Sequence, residues 1–374
     1  MSMKIKINKL TLCSVFFISS ILWTGCYNVI FAKIVNEVKL EDATISGRIN
    51  SIIRYTYGDE ECIFVQNGII YYKKAAENSH TAWNECMNGI ESVSYKYYGN
   101  GFTGTYISKL AADKNTLYAI GIKLGENKDK GENIASEYWL YYFDTTSSVW
   151  KEVQNVTSST GTTTIFSTNT VDSNNRRAYI RMNGKVYDLE GAASSTFKTV
   201  ADSLSEIPNT KATTSSAVYF KSQVYFFDTV CSGTNETAST PATHIYYADE
   251  SKLQWSDNAS TYIEAVSCSS AIISMAVTSD AIILGTERNG LAKVVNTSGV
   301  PGSATVEFET NASAALESPY EILAMLCVDS DQPEKKATIY ASADFRGTPS
   351  SSKGSYNDVG LWSYYESRGN WNRE

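Results

Sequence analysis

Apolar and aromatic residues recur along this chain in short runs, each followed by a polar turn and then by one large aromatic residue. The clearest copies are LYYFDTTSSVW, IYYADESKLQW and LWSYYESRGNW, which end at Trp150, Trp255 and Trp371. Weaker copies end at three further aromatic residues, Trp83, Phe197 and Phe308. Self-similarity at a period of roughly 55 residues predicts a repeat architecture, here of six units.

Each unit has the pattern of four short strands. In the second unit, the strand-like segments TYISKLAA, TLYAIGIKL, YWLYYFD and VWKEV are separated by turn-rich breaks. The 25 Tyr, 13 Phe and 7 Trp residues of the chain also favour strands over helices. A single four-stranded blade has two apolar faces, which it buries only between neighbours arranged around an axis. We therefore predict an all-β fold, a six-bladed β-propeller of four-stranded antiparallel blades, with seven blades as the alternative.

The end of each unit resembles the kelch repeat, because YFDTTSSVW matches its Tyr-Asp…Trp segment. The paired glycines of the second kelch strand are absent, so the resemblance is limited to this segment. It implies an architecture and no single activity. We expect each Trp to fill the widening gap between neighbouring blades, since one indole buries on the order of 150–250 Å².

Short and long connections alternate between the units. Units one, three and five join their middle strands through Asn67-Gly68, Asn183-Gly184 and Asn289-Gly290, and Asn-Gly predicts a type I′ hairpin turn. Units two, four and six carry long polar loops there, at roughly 124–136, 229–243 and 346–359. The alternation indicates a three-fold arrangement of blade pairs.

The propeller is predicted to span residues 49–374, and residues 26–48 to form an anchor segment and a ring-closing strand. The stretch VNEVKLEDATISG, residues 35–47, lies outside the six units. We expect it to pair with the end of the chain at NWNRE, because ring closure would remove an exposed sheet edge.

The N-terminus has the pattern of an export signal. Three lysines precede the uncharged segment TLCSVFFISSILW, which is too short to span a bilayer. The following LWTGC resembles the lipobox of bacterial lipoproteins, in the relaxed form familiar from spirochaetes. The resemblance implies a signal peptide over residues 1–25 and lipid attachment at Cys26. An uncleaved signal anchor and ordinary cleavage after Ala32 are the alternatives, and all three place the folded part outside the cytoplasm, at the bacterial envelope.

The charge of the exported part argues against some partners. The whole chain has a net charge of −8, and removal of residues 1–25 leaves 29 basic against 40 acidic residues, a net charge of −11. An acidic exported domain is a poor candidate for binding nucleic acid or anionic lipid surfaces. The expected partners are an envelope protein or a glycan, with membrane contact only through the N-terminal lipid.

Export permits disulfides, and five cysteines remain beyond Cys13 and Cys26. Cys231 and Cys268 map to the same face of the predicted fold, in a long loop and in the connection that leaves that unit. A disulfide between them and two unrelated thiols are both compatible with this placement. Cys62 and Cys86 fall in non-adjacent strands, which makes their pairing less favourable.

Candidate ligand contacts lie on the face that carries the long loops and the connections between blades. In the connection SVSYKYYGNGFTGTY, exposed aromatics on a glycine-rich backbone suit stacking against sugars or a protein. Residues at the ends of inner strands, near the mouth of the central channel, complete the set. The candidates are Tyr97, Tyr98, Phe102, Tyr106, Lys211, Tyr320 and Glu321, and packing of the aromatics within the fold is the alternative.

No catalytic, metal or cofactor constellation stands out. The only histidines, His80 and His244, lie far apart, and no zinc-ligand spacing, nucleophile elbow, P-loop or dinucleotide fingerprint is present. The sequence therefore favours a non-enzymatic binding or assembly platform without cofactors. A carbohydrate-active hydrolase or lyase with its pocket around Glu321 and Tyr106 is the alternative, although a glycosidase needs two carboxylates. A purely structural envelope component remains a third hypothesis.

Overall fold

The computed structural model describes residues 45–77, 81–96, 101–126, 133–158, 163–170, 176–183, 185–189, 216–221, 223–228, 244–249, 262–264, 272–279, 281–287, 289–295, 305–308, 316, 320–329, 336–345 and 359–374. The predicted signal peptide, Cys26 and residues 35–44 lie outside the described residues. Of the other predicted features, the same holds for Tyr97, Tyr98, Lys211, Cys231 and Cys268.

The described residues form five hydrogen-bonded sheets. The first contains β1 (Ser51–Tyr57), β2 (Glu60–Gln66), β3 (Ile70–Lys74) and β4 (Asn84–Glu85). The second contains β5 (Ser94–Lys96), β6 (Gly101–Ala112), β7 (Leu117–Glu126), β8 (Asn133–Asp144) and β9 (Val149–Asn155). In both sheets the strands pair antiparallel and in chain order.

The third sheet has seven strands and is made of two antiparallel ladders. One ladder contains β10 (Thr164–Asn169), β11 (Ala178–Met182) and β12 (Lys185–Asp188). The other contains β13 (Ala217–Phe220), β14 (Gln223–Asp228), β15 (His244–Asp249) and β16 (Tyr262–Glu264). Parallel pairing of β10 with β13 joins them at Thr168 with Ala217 and Asn169 with Val218.

The last two sheets are four-stranded, antiparallel and in chain order. One contains β17 (Ile272–Val277), β18 (Ile282–Thr286), β19 (Leu291–Val295) and β20 (Thr305–Phe308). The other contains β21 (Glu321–Cys327), β22 (Ile339–Asp344), β23 (Gly360–Tyr365) and β24 (Asn370–Arg373), with a short 3₁₀ turn at Glu366–Arg368 before β24. The chain is thus all-β, a β-propeller of small antiparallel four-stranded blades, and the predicted fold class is confirmed at this level.

Alternation along the strands explains why the sheets stack. In β2, Cys62 and Phe64 belong to an apolar cluster with residues of the second sheet, such as Leu117 and Trp150. Ile63 and Val65 point the other way, into a cluster with residues of the last sheet. Both faces of the first sheet are therefore buried between neighbours, which no isolated sheet could achieve.

The predicted role of the tryptophans is seen at two positions. Trp150 is 2% exposed and packs between the first two sheets, where its indole Nε1 donates a hydrogen bond to the Cys86 carbonyl at 2.9 Å. Trp83 is 8% exposed and packs among residues of the first and last sheets. Each indole thus fills space between two neighbouring sheets.

The start of the described chain meets its end. Ile45 donates a backbone hydrogen bond to the Glu374 carbonyl, and its own carbonyl accepts one from Leu361, both at 3.3 Å. Ile45 and Ile49 are fully buried in the cluster that joins the first and last sheets. Pairing over residues 35–44 stays a prediction.

The type I′ prediction is wrong at two of the three Asn-Gly sites. Between β2 and β3, and between β18 and β19, the glycines Gly68 and Gly290 have φ of 104° and 67°, whereas neither preceding asparagine has positive φ. Both loops are used to reach the next sheet: the Gly68 carbonyl accepts a hydrogen bond from Ile107, and Gly290 donates one to the Tyr320 carbonyl. Only Asn183, between β11 and β12, has the positive φ (52°) that a type I′ turn requires.

The segment 124–136, predicted as a long polar loop, is strand at both of its described ends, residues 124–126 and 133–136. β7 extends to Glu126 and β8 begins at Asn133, and Gly125 and Glu126 pair with Ile134 and Asn133. None of the helices in the described part of the chain is both long and apolar enough to cross a membrane.

Candidate functional site

A central cavity of about 630 Å³, counted with its space open to solvent, lies between the first strands of successive ladders. We call β1, β6, β10, β13, β17 and β21 the inner strands. Residues of five of them line the cavity, together with Ser216, which directly precedes β13. Hydroxyl and amide side chains form much of its polar wall: Asn50, Ser51, Ser167, Thr168, Asn169, Thr170, Ser216 and Ser274.

The charged residues of the cavity wall are all basic. They are Arg54 in β1, Lys109 in β6 and Arg176 between β10 and β11, and no aspartate or glutamate is among the described residues of the wall. The protein wall of the cavity strengthens the field of these groups, because its dielectric constant is lower than that of water. The wall therefore favours an anionic or polar guest.

Lys109 is placed by an irregularity in its strand. Ile107 pairs with Gly121 but Lys109 pairs with Ile120, so Ser108 is an extra residue in β6, a β-bulge. Lys109 lines the cavity, and no hydrogen-bond acceptor in the described part of the chain reaches its ammonium group. Burial, followed by the positive charges of Arg181 and Arg48, lowers the pKa of Lys109 to about 8.

The two arginines are held by contacts of their own. Arg176 is 8% exposed and donates a hydrogen bond to the Arg54 carbonyl, and Arg54 forms an ion pair with Glu61. Burial, followed by the charge of Arg54, lowers the pKa of Arg176 to about 10, opposed by Glu61 and Asp113. Arg176 therefore stays charged at neutral pH.

Asn169 links two inner strands that belong to different sheets. Its Nδ2 donates a hydrogen bond to the Met325 carbonyl in β21 at 2.9 Å. Its Oδ1 is buried without a donor, and so is Oγ1 of the neighbouring Thr168, a residue that is only 2% exposed. Both residues line the cavity, and neither oxygen has a hydrogen-bond donor among the described residues.

The structure places Tyr106, Tyr320 and Glu321 outside the cavity wall and in contact with protein. The ring of Tyr106 covers Gly68, where an added Cβ would lie 2.7 Å from Cε2 of the tyrosine. Tyr320 is 2% exposed and meets Phe345 edge-on, with ring centroids 5.7 Å apart. Phe102 pairs with Tyr95 through the backbone of β6 and β5.

Glu321 belongs to a carboxylate pair that the sequence did not reveal. Nη1 of Arg48 lies 2.9 Å from both Oε1 of Glu321 and Oδ2 of Asp344, and both carboxylates are largely buried whereas Arg48 is half exposed. Burial raises the pKa of Glu321, the charge of Arg48 lowers it, and that of Asp344 raises it. Asp344 ends β22, far from Glu321 in sequence, so only the register of β21 with β22 brings the two together.

The cavity residues Arg54, Lys109 and Arg176 were also not among the predicted site residues. A signal existed for two of them, because Lys109 and Arg54 interrupt the otherwise apolar inner-strand segments YISKLAA and SIIRYT. A charged side chain in the middle of a buried strand costs free energy unless it is paired, so its presence there indicates an ion pair or a functional role. Arg176 lies in a turn and had no such signal.

The described cysteines Cys62, Cys86 and Cys327 are free and buried. Burial raises the pKa of Cys62 and of Cys86 to about 11, and that of Cys327 to about 12. Among the described residues there is no group of three or more His, Cys, Asp or Glu side chains with the arrangement of a metal site.

No family model matches the chain, and the search of curated proteins found no match. Among solved structures, the chain is similar to an α-L-arabinanase of Penicillium chrysogenum complexed with arabinobiose, with a TM-score of 0.48, 10% identity, and coverage of 86% of this chain and 95% of that one. It is also similar to YCF48 from Cyanidioschyzon merolae, with a TM-score of 0.41, 10% identity, and coverage of 88% and 85%. Likenesses with these scores carry no argument about the activity of this chain.

Proposed function

We propose that this chain is an exported, lipid-anchored β-propeller that acts as a binding platform at the bacterial cell envelope, with a protein or glycan as its ligand. The export signal over residues 1–25 and the lipobox-like LWTGC at Cys26 motivate the location. We further propose six blades. The seven-stranded sheet counts as two of them, because its two antiparallel ladders are joined only by the parallel pairs of β10 and β13.

The central cavity is the observation that carries the binding function. Residues of five inner strands converge on this cavity, and it opens to solvent, so a ligand could enter it. Hydroxyls, amides and three basic side chains give its wall both hydrogen-bonding and charge complementarity to a polar guest. Complementary hydrogen-bonding and charged groups of this kind are sufficient for a binding function.

Capture from envelope extracts tests the proposal. The full chain, immobilised, is expected to retain a protein or glycan that a Lys109→Met and Arg176→Met double variant retains poorly. Labelling with a radioactive fatty acid, compared between the full chain and Cys26→Ala, tests the anchor. Recovery of no partner by the intact chain would count against a binding platform, and equal labelling of both chains against lipidation at Cys26.

A carbohydrate-active enzyme is the second candidate, and the Arg48-bridged pair of Glu321 and Asp344 is what favours it. Two carboxylates in different electrostatic environments are the minimum for glycoside hydrolysis. Glu321→Gln and Asp344→Asn should each abolish turnover of an envelope glycan if this candidate is right. Inactivity of the unmodified chain against a broad glycan panel would reject it.

A further inference from the structure

The wall of the inner-strand cavity includes one cationic group and two buried oxygens that have no hydrogen-bond partner among the residues that the structure describes. The cation is the Lys109 ammonium, and the acceptors are Thr168 Oγ1 and Asn169 Oδ1. Thr168 is 2% exposed, and all three residues line the same cavity. Buried polar groups in folded proteins are nearly always hydrogen-bonded, so these atoms call for a complementary guest.

From the geometry of this wall we infer that the cavity binds an acidic sugar, a uronate, with its carboxylate at Lys109 and its hydroxyls at Thr168 and Asn169. The inference rests on the proposed binding function and names its ligand class. A carboxylate supplies the negative charge that the ammonium lacks, and sugar hydroxyls supply the missing donors. The remaining serine and threonine hydroxyls of the wall either donate or accept, as recognition of a polyhydroxylated ring requires.

The basic residues differ in what they offer such a ligand. Arg54 is already paired with Glu61, and Arg176 already donates to the Arg54 carbonyl. Arg48 is held by Glu321 and Asp344. Lys109 lacks such a contact with the protein, and its placement depends on the bulge at Ser108. The ammonium of Lys109, without an ion-pair partner among the described residues, therefore matches the single carboxylate of a uronate.

Ligand chemistry is tested by calorimetric titration of the full chain with glucuronate, glucose and inorganic phosphate. We expect glucuronate to bind, glucose to bind more weakly by about tenfold or more, and phosphate to bind more weakly than glucuronate, since only the uronate satisfies both kinds of group. Equal affinity for glucose and glucuronate would overturn the assignment of the carboxylate to Lys109. Equal or tighter binding of phosphate would overturn the role of the sugar hydroxyls.

Two variants test the cavity residues, and a third variant is a matched control. Lys109→Met should weaken glucuronate binding by about tenfold or more, and Thr168→Val by about fivefold. Lys74→Met removes an exposed ammonium that pairs with Glu60 in the first sheet, and it should bind like the unmodified chain. Because neither Lys109 nor Thr168 Oγ1 has a protein partner, both cavity variants should unfold at the same or a higher temperature than the unmodified chain.

Failure of this inference differs from failure of the proposed function. If Lys109→Met unfolds at a much lower temperature, Lys109 has a structural partner and the inference is wrong. If no probe binds but the intact chain still captures an envelope partner, the ligand class is wrong and the binding platform stands. If there is neither binding nor capture, both are wrong.

Discussion

The Lys73 ammonium and the Glu374 carboxylate form an ion pair in which neither side chain is exposed to solvent. Lys73 belongs to β3 of the first sheet, and Glu374 directly follows β24 of the last sheet. The indole Nε1 of Trp83 donates a hydrogen bond of 3.3 Å to the same carboxylate oxygen. Burial lowers the pKa of Lys73, and the charge and hydrogen bond of Glu374 oppose that shift. The pair joins the two sheets at which the ring of blades closes.

Removal of one partner from this pair should destabilise the fold strongly. Lys73→Met or Glu374→Gln is expected to lower the free energy of unfolding by about 3–5 kcal/mol, because the remaining group is left buried without its partner. Urea denaturation followed by tryptophan fluorescence measures the change. The neighbouring Lys74 is the control: its pair with Glu60 is half exposed, and Lys74→Met should cost less than about 1 kcal/mol. Equal effects at Lys73 and Lys74 would refute the structural role of the buried pair.

Trp150 offers a test of packing between the first two sheets. Trp150→Ala should cost about 3–5 kcal/mol, since a fully buried indole is replaced by a cavity. Trp150→Phe should cost less, and its cost includes the loss of the hydrogen bond to the Cys86 carbonyl. Trp139, which is partly exposed beneath the Lys123 ammonium at 3.8 Å, serves as the comparison. A Trp139→Ala effect as large as that of Trp150→Ala would contradict the assignment of Trp150 as the inter-sheet wedge.

The fold was predictable from the sequence because strands that are buried on both faces have a recognisable local pattern of apolar and aromatic residues. An aromatic residue after a polar turn, as at Trp150, recurs along the chain at intervals of roughly 55 residues, so a single pattern was read several times. The turn at Gly68 was mispredicted because its conformation depends on Ile107, a residue of the next sheet that no local pattern specifies. Likewise, the partnership of Glu321 with Asp344 depends on strand register. The cavity could not be derived either, because its wall combines two to four residues from each of five strands that are far apart in the sequence.

The three described thiols should be unreactive in the folded protein. Iodoacetamide at about pH 8 is expected to leave Cys62, Cys86 and Cys327 unmodified in the native chain and to modify all three in denaturant, since the thiolate is the reactive form. Peptide mass spectrometry identifies the modified positions. Rapid native modification of Cys327, which is 2% exposed, would contradict its burial.

The same thiols predict a loss of stability in alkali. Their pKa values are raised from 9.0 to about 11 or 12 in the folded chain. Above about pH 9 the unfolded chain therefore releases these protons while the folded chain keeps them, and the free energy of unfolding falls as pH rises. A triple replacement of the three cysteines by alanine should flatten this part of the pH profile. An unchanged slope would mean that the thiols ionise alike in both states.

Lys109 predicts a pH dependence of the opposite sign. Its pKa is lowered from 10.5 to about 8 in the folded chain, so between these values the unfolded chain binds more protons than the folded one. The free energy of unfolding contributed by Lys109 therefore rises with pH across this window, by about 3 kcal/mol. The charges that act on Lys109 are those of Arg181 and Arg48, and Arg48 is itself paired with Glu321 and Asp344.

Comparison of Lys109→Met with the unmodified chain at about pH 7 and about pH 9.5 isolates this contribution, because the thiols are common to both chains. The stability advantage of Lys109→Met should be largest at the lower pH and shrink at the higher one. Glucuronate affinity of the unmodified chain should fall over the same window as the ammonium loses its proton. An affinity that stays constant while the stability difference shrinks would show that Lys109 titrates without touching the ligand. As Lys109 loses its proton, the folded state should therefore become more stable while glucuronate binds more weakly. These opposite changes are expected of a cation that has no partner among the described residues.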